Sequence, residues 1–162
     1  MQDPKRRDLL LLLSASSLAV ALPAACDTKP NVYAAEVHLD PGCGCCRGWV
    51  EILRASPRFV VTSSENADLP VLKQKLGVPA ALGSCHTAII EGLVVEGHVP
   101  VTDVIRLLET RPAGVIGIAA PGMPRGSPGM EQPNGVADAY DVLSFTKDGQ
   151  HSVFASYKGR TT

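Results

Sequence analysis

The chain has 162 residues, of which 45% are hydrophobic and 19% are charged. This length and composition are typical of one globular domain with an appendage. The formal net charge of -1 excludes a large basic face for nucleic acid, because phosphate binding depends on clustered lysine and arginine. Five cysteines are an odd number for so short a chain, and their positions direct the search for a function.

The first 25 residues have the three-part order of a secretory signal. Lys5, Arg6 and Arg7 form a basic start, an apolar run covers residues 9–22, and small residues precede Cys26. The run is shorter than the ~20 residues of a membrane-spanning helix, and the arginine pair resembles a twin-arginine signal, so we expect export to the periplasm. At Cys26 two alternatives stay open, lipidation with a membrane tether and ordinary cleavage nearby.

The exported part begins with a predicted strand, helix and strand. A polar tether over residues 26–35 precedes the first strand, residues 36–40. Apolar side chains then recur at helical spacing on one face, at Cys46, Trp49, Val50 and Leu53. Residues 58–63 are rich in β-branched side chains and predict the second strand. Because a strand, helix and strand in succession form a right-handed crossover, we expect these two strands to be parallel.

The next elements complete a recognisable order. A second helix around residues 69–76 ends at a glycine with a proline behind it. Residues 87–90 and 93–96 are apolar runs separated by two turn residues, which predicts an antiparallel hairpin. A third helix has Thr102 as its expected N-cap. The order βαβαββα over residues 36–112 is that of the thioredoxin fold, so we predict a thioredoxin-like α/β domain.

Residues 113–162 are predicted to form a C-terminal extension rich in Gly, Pro and Met that packs on the domain. Within residues 113–137 turn-forming residues are so dense that neither a helix nor a central strand is expected. Residues 140–146 and 152–157 flank an Asp-Gly turn and predict a final β-hairpin.

Three cysteines lie together where the first helix begins, in Cys43-Gly44-Cys45-Cys46. Helix amides and the positive end of the helix dipole favour thiolates at this place. Cys43 and Cys46 form the CxxC pair of a thiol-disulfide oxidoreductase, but such a catalyst does not need the third sulfur of Cys45. The third sulfur therefore indicates a metal site. Cys85 begins the strand that faces this helix in a thioredoxin-like fold, so we expect all four sulfurs to converge.

The candidate ligands suit a soft metal ion. Thiolate, imidazole and thioether ligands fit Cu(I) best and zinc second, and the crowding of sulfurs favours thiolates that bridge more than one ion. His86 and His98 are candidate imidazole ligands, while Met123 and Met130 are either thioether ligands or core filler. Two plain disulfides remain the alternative for the four cysteines after Cys26.

Several ordered motifs also carry a family resemblance. They are CGCC at 43–46 followed by Trp49, GVP at 77–79, SCHTA at 84–88, EGHVP at 96–100, PGMP at 121–124 and GSPGME at 126–131. Together they closely resemble the CopG-type periplasmic copper-resistance family, a metal-binding family formerly described as a domain of unknown function. The resemblance covers about residues 36–157, and the segment 32–41 departs from the family's pattern.

The resemblance implies a thioredoxin-like fold with a C-terminal extension, copper bridged by cysteine at the CxCC motif, and a role in copper resistance with cycling between Cu(I) and Cu(II). Position by position, it implies these metal ligands: Cys43, Cys45, Cys46, Cys85, His86, His98, Met123 and Met130.

We therefore predict a periplasmic protein that holds Cu(I), with more than one ion and with other periplasmic copper-handling proteins as partners. Whether it is an enzyme, a copper oxidoreductase, stays open. The alternatives are a thiol-disulfide oxidoreductase that uses the CxxC pair and a zinc-binding adaptor.

Overall fold

The computed structural model describes residues 30–161, so the predicted export signal and Cys26 lie outside the described residues. Within residues 30–161 the chain forms seven strands, three α-helices and one 3₁₀ turn. They are β1 (Tyr33–Leu39), α1 (Gly44–Ala55), β2 (Phe59–Glu65), α2 (Leu69–Lys75), the 3₁₀ turn (Ala80–Leu82), β3 (His86–Ile90), β4 (Leu93–Gly97), α3 (Val101–Thr110), β5 (Val115–Ala120), β6 (Tyr140–Thr146) and β7 (His151–Tyr157). No helix in this part of the chain has the length and apolarity to cross a membrane.

All seven strands belong to one mixed sheet, in the order β2-β1-β3-β4-β5-β6-β7. The predicted mixed α/β class is confirmed. β1 is parallel to β2, as the crossover rule requires, and antiparallel to β3. β1 begins at Tyr33, earlier than the predicted start at Glu36, because its buried and exposed side chains already alternate from that residue.

The helices cover the sheet on both faces. Neighbouring residues of β4 point to opposite faces, and Val95 belongs to the apolar cluster that includes α1 and α3, whereas Val94 belongs to a second cluster with the chain after α2. The predicted apolar face of α1 is buried in the first cluster. Burial of this face fixes α1 on the sheet, with its N-terminus at the end of β1.

One prediction for the Gly/Pro-rich segment is wrong. β5, Val115–Ala120, lies inside the sheet between β4 and β6. Its sequence VIGIAA is an apolar run, and a Cβ on Gly117 would lie 2.4 Å from the Val94 carbonyl oxygen, so glycine is needed for strand packing here. The turn residues are concentrated after Ala120, so their density over residues 113–137 as a whole does not apply to the strand.

The predicted N-cap of α3 is also wrong. Pro100 occupies the cap position, no side chain caps the helix, and Thr102 lies inside it. The loop before α3 returns from β4, whose hairpin with β3 turns at Glu91 and Gly92 with φ of 49° and 78°. Positive φ at both turn residues is the conformation that two-residue hairpins favour. The end of β4, the start of β3 and the N-terminus of α1 therefore lie together at one end of the central strands of the sheet.

Candidate metal centre

The CxCC segment forms the N-terminus of α1. Cys43 is the N-cap residue, and its sulfur accepts a hydrogen bond from the Cys46 amide at 3.3 Å. In this structure Cys43 and Cys46 form a disulfide, whereas Cys45 and Cys85 are free thiols. The Cys46 sulfur lies in the core, and the other three cysteines are partly exposed. The segment thus places one sulfur inside the protein and two near its surface.

All four cysteines come together, as the sequence led us to expect. The sulfurs of Cys43, Cys45, Cys46 and Cys85 lie within 4.8 Å of one another. Cys85 directly precedes β3, the neighbour of β1 in the sheet, and its carbonyl accepts a hydrogen bond from the Asp40 amide at 3.0 Å. This contact ties the start of β3 to the loop that leads into the CxCC segment. The four residues form the sulfur group of the site.

Cys85 also belongs to a second cluster of donor atoms. Its sulfur lies 3.2 Å from His98 Nε2 and 3.6 Å from His86 Nδ1, and the three residues form a second group within 4.8 Å. We call Cys85, His86 and His98 the imidazole group. Because Cys85 is common to both groups, its sulfur would bind one ion held by both groups, or bridge two ions, one in each group.

The orientation of His98 is set by a backbone carbonyl. His98 Nδ1 lies 2.8 Å from the Pro128 oxygen, and since a carbonyl only accepts, Nδ1 carries the proton. Nε2 then presents its lone pair toward Cys85. A histidine whose other nitrogen donates to a carbonyl is the usual arrangement of a metal ligand.

Burial keeps both imidazoles neutral. It lowers the pKa of His86 to about 3, with further lowering by the nearby His98 and by the charge of Lys73, and it lowers the pKa of His98. Neutral imidazole is the form that binds metal ions. His86 Nε2 is buried without a hydrogen-bond partner among the described residues, which costs free energy.

The Cys85 thiol is protonated in the metal-free protein. Burial, and then the neighbouring Cys45, raise the pKa of Cys85 to about 11. Thiolate ligands must lose this proton, so metal binding at Cys85 would release it to solvent. Sulfur donors beside neutral imidazoles are the donor set of a soft ion such as Cu(I) or zinc.

Residues 121–137, which we call the covering segment, lie over this end of the strands. A Cβ on Gly129, whose φ is +81°, would lie 2.7 Å from the Trp49 amide nitrogen and 2.9 Å from the Cys45 carbonyl oxygen. Glycine is therefore needed where the segment touches α1. At its other end, the Ser84 hydroxyl donates to the Gly122 carbonyl at 2.6 Å.

The two methionines lie in the same segment. Met123 follows Gly122 and is 56% exposed, while Met130 follows Gly129 and is half-buried, with its backbone bonded to Gly126 and Ser127. Their neighbours Gly122 and Gly129 contact Ser84 and α1, and the role of the two methionines as ligands stays a prediction.

A buried ion pair beside Cys85 was not predicted. Glu96 on β4 is fully buried and pairs with Lys73 of α2. The signal was present in the sequence, because Glu96 is an acidic residue at the end of the apolar run Leu-Val-Val. The sequence alone does not show that Lys73, 23 residues away, balances this charge.

Comparisons with known proteins agree with the motifs. Residues 82–130 match the family described as "Protein of unknown function, DUF411". A solved structure named "Copper resistance protein copG- Form 1" is 48% identical, with a TM-score of 0.73 over 81% of this chain and 100% of that chain. A second, "Copper resistance protein copG- Form 2", is also 48% identical, with a TM-score of 0.72 over 78% of this chain and 99% of that one. No curated protein sequence matches the chain.

Proposed function

Because the chain belongs to the CopG copper-resistance family, we propose that it is a periplasmic protein that holds Cu(I) through bridging cysteine thiolates. The observation that carries the proposal is the convergence of four cysteine sulfurs within 4.8 Å, with Cys85 also within reach of two imidazoles. Thiolates and neutral imidazoles prefer Cu(I) over harder ions, with zinc second. Two donor groups that share one sulfur favour more than one copper ion.

The disulfide makes loading depend on the redox state of the site. While Cys43 and Cys46 form a disulfide, two of the four sulfurs are not thiolates and cannot act as thiolate ligands. Full loading therefore follows reduction of this bond by an external dithiol, which supplies two electrons and two protons and becomes a disulfide while Cys43 and Cys46 become thiols. The N-terminus of α1 then favours both thiolates, and cycling of bound copper between Cu(I) and Cu(II) fits a site with redox-active sulfur.

We also propose a division of the chain into domains and a complete set of metal ligands. We assign β1–α1–β2–α2–β3–β4–α3 to a thioredoxin-like domain, and residues 113–162 to an extension that ends in the β6–β7 hairpin and supplies the carbonyl that orients His98. His86, His98, Met123 and Met130 complete the proposed ligand set. Residues 1–25 are proposed as the export signal, with both fates of Cys26 left open.

A second candidate function is thiol-disulfide exchange. It is favoured by the disulfide itself, which joins a partly exposed Cys43 to a buried Cys46 at a helix N-terminus. This is the arrangement of an attacking and a resolving cysteine. Under this proposal Cys43→Ser abolishes reduction of a disulfide substrate and leaves copper binding to the other sulfurs detectable.

Metal analysis tests the main proposal. We expect protein isolated from the periplasm under reducing conditions to contain copper above zinc, and a thiol count that rises by two when the Cys43–Cys46 bond is reduced. Cys45→Ser should lower the copper content and leave the fold intact by circular dichroism. His151→Asn, which changes an exposed imidazole on β7, is the matched control. Copper content unchanged by Cys45→Ser would refute the bridged site.

A further inference from the structure

The buried ion pair beside the site holds one particular peptide unit. The carboxylate of Glu96 accepts hydrogen bonds from the Thr87 hydroxyl at 2.6 Å and from the Ser84 amide at 2.6 Å, and it pairs with the Lys73 ammonium. The same ammonium donates to the Ser84 carbonyl at 2.8 Å. Both backbone groups of Ser84 are therefore fixed by one anion and one cation, directly before Cys85.

The backbone of β4 approaches Ser84 too closely for a side chain. Gly97 has φ of +72°, and a Cβ there would lie 2.6 Å from the Ser84 Cβ and 2.8 Å from the Ala120 oxygen. The Ser84 hydroxyl is held as well, by the Gly122 carbonyl. Every polar group of Ser84 thus has a partner from a different part of the chain, which is more than a connecting loop needs for stability.

The choice of charged residues also calls for a reason. Glu96 has no exposed surface and the Lys73 side chain is 14% exposed, so the pair lost most of its hydration on folding. Such a pair is often no more stabilising than apolar residues of the same size. Its best-supported use is to impose one geometry, because an ammonium and a carboxylate with several fixed hydrogen bonds accept few alternatives.

We propose that Lys73 and Glu96 are positioning residues that hold Ser84, and through it the Cys85 sulfur, at the point shared by the sulfur group and the imidazole group. The proposal rests on the proposed function for its purpose, copper binding, but its geometric content concerns the metal-free protein. We call the Lys73–Glu96 pair the clamp. Without it, the start of β3 would move and Cys85 would leave its place 3.2 Å from His98 Nε2.

The first test measures the reactivity of Cys85 in the metal-free full chain. Trypsin releases Cys85 in the peptide of residues 76–106, or of residues 74–106 where Lys75 is replaced, and neither peptide contains another cysteine, so alkylation of Cys85 by iodoacetamide can be followed by mass spectrometry. We expect Lys73→Met to raise the Cys85 alkylation rate about tenfold, because local opening exposes the thiol. Lys75→Met, on an exposed lysine of the same helix, is the matched control and should leave the rate unchanged.

Further variants separate positioning from stability. Lys73→Arg keeps the cation and should restore a rate near that of the wild type. Lys73→Met with Glu96→Gln removes the stranded charge, so its Tm should recover relative to Lys73→Met alone. The Ser84 carbonyl still lacks its ammonium partner in this double variant, and the Cys85 rate should stay high. A rate that returns to the wild-type value together with the Tm would overturn the positioning role, as would equal rates in Lys73→Met and Lys75→Met.

The second test concerns copper directly. In competition with a chromophoric Cu(I) chelator, Lys73→Met should bind Cu(I) about tenfold more weakly than wild type, the usual effect of losing an outer partner of a ligand. If the wild-type chain binds no Cu(I), the proposed function fails, while the alkylation rates still decide whether the clamp positions Cys85. Unchanged Cu(I) affinity in Lys73→Met beside a raised alkylation rate would overturn the link to the metal site.

Discussion

The sulfur group and the imidazole group share Cys85 but differ in how the chain builds them. Three of the four sulfurs come from one turn at the start of α1, and they remain partly exposed except for Cys46. The imidazole group joins β3 to the loop after β4, and both histidines are fully buried. One group is local, accessible and open to oxidation, and the other is assembled by long-range packing with both of its rings protected from water.

Under the proposed function, this difference gives the two groups different tasks. A local and accessible set of sulfurs can exchange metal ions or electrons with a partner without moving the rest of the protein. A buried pair of neutral imidazoles cannot exchange a bound metal ion quickly. It can hold an ion in fixed geometry, because the neighbouring residues constrain each ring. Cys85 connects the two, so it should matter more than any other single ligand.

The largest effect is therefore expected from Cys85→Ser. This change removes a donor from both groups, and we expect it to abolish high-affinity Cu(I) binding, because copper prefers sulfur to oxygen. His98→Asn affects the imidazole group alone and should retain partial binding. Competition titration with a Cu(I) chelator measures both. Equal losses in the two variants would show that Cys85 does not join the groups.

The same contrast explains what the sequence could predict. The three sulfurs at the start of α1 could be predicted from the sequence, since CGCC at a helix start and the apolar face of α1 depend only on neighbouring residues. The approach of Cys85 followed from the order of elements. The carbonyl of Pro128 on His98 and the pairing of Glu96 with Lys73 bring together residues far apart in the chain, and no short pattern specifies such contacts.

The covering segment gives the next largest effect. Gly129→Ala places a Cβ 2.7 Å from the Trp49 amide in a backbone region with φ of +81°, and we expect a loss of about 3 kcal/mol in the free energy of unfolding. Gly135→Ala has a similar φ of +73° with open space around its Cβ, and should cost about 1 kcal/mol.

Urea denaturation of the two glycine variants separates collision from backbone strain. In Gly129→Ala the Pro128 carbonyl should also leave His98, which ¹⁵N NMR would detect as loss of the Nδ1–H tautomer. Equal costs in Gly129→Ala and Gly135→Ala would mean that the segment does not pack on α1 in solution.

Burial of the imidazole group predicts a pH dependence. The pKa of His86 is about 3 in the folded metal-free protein and about 6.5 when unfolded, so the unfolded state binds the extra proton. Stability due to neutral His86 is fully present above pH ~6.5 and falls as the pH approaches 3, with a loss of about 2 kcal/mol at pH 5.

Chemical denaturation at pH 7.5 and pH 5 measures this loss. His86→Leu should flatten the dependence, and His151→Leu, at an exposed histidine, should leave it as in the wild type. A wild-type slope in His86→Leu would mean that water reaches the imidazole group and that the two groups do not differ in protection.

The smallest effect is expected where the sulfur group meets the surface. Glu65 on β2 accepts the Gly42 amide at 3.4 Å and pairs with Arg47 of α1 at 3.3 Å, so it links the CxCC segment to the edge of the sheet. Both side chains are more than half exposed, and an exposed pair contributes at most about 1 kcal/mol because water screens it. Glu65→Gln should therefore lower the free energy of unfolding by about 0.5 kcal/mol, and the difference should shrink in high salt. A loss as large as that of Gly129→Ala would mean that the contacts of Glu65 are rigid. The sulfur group would then be held as firmly as the imidazole group.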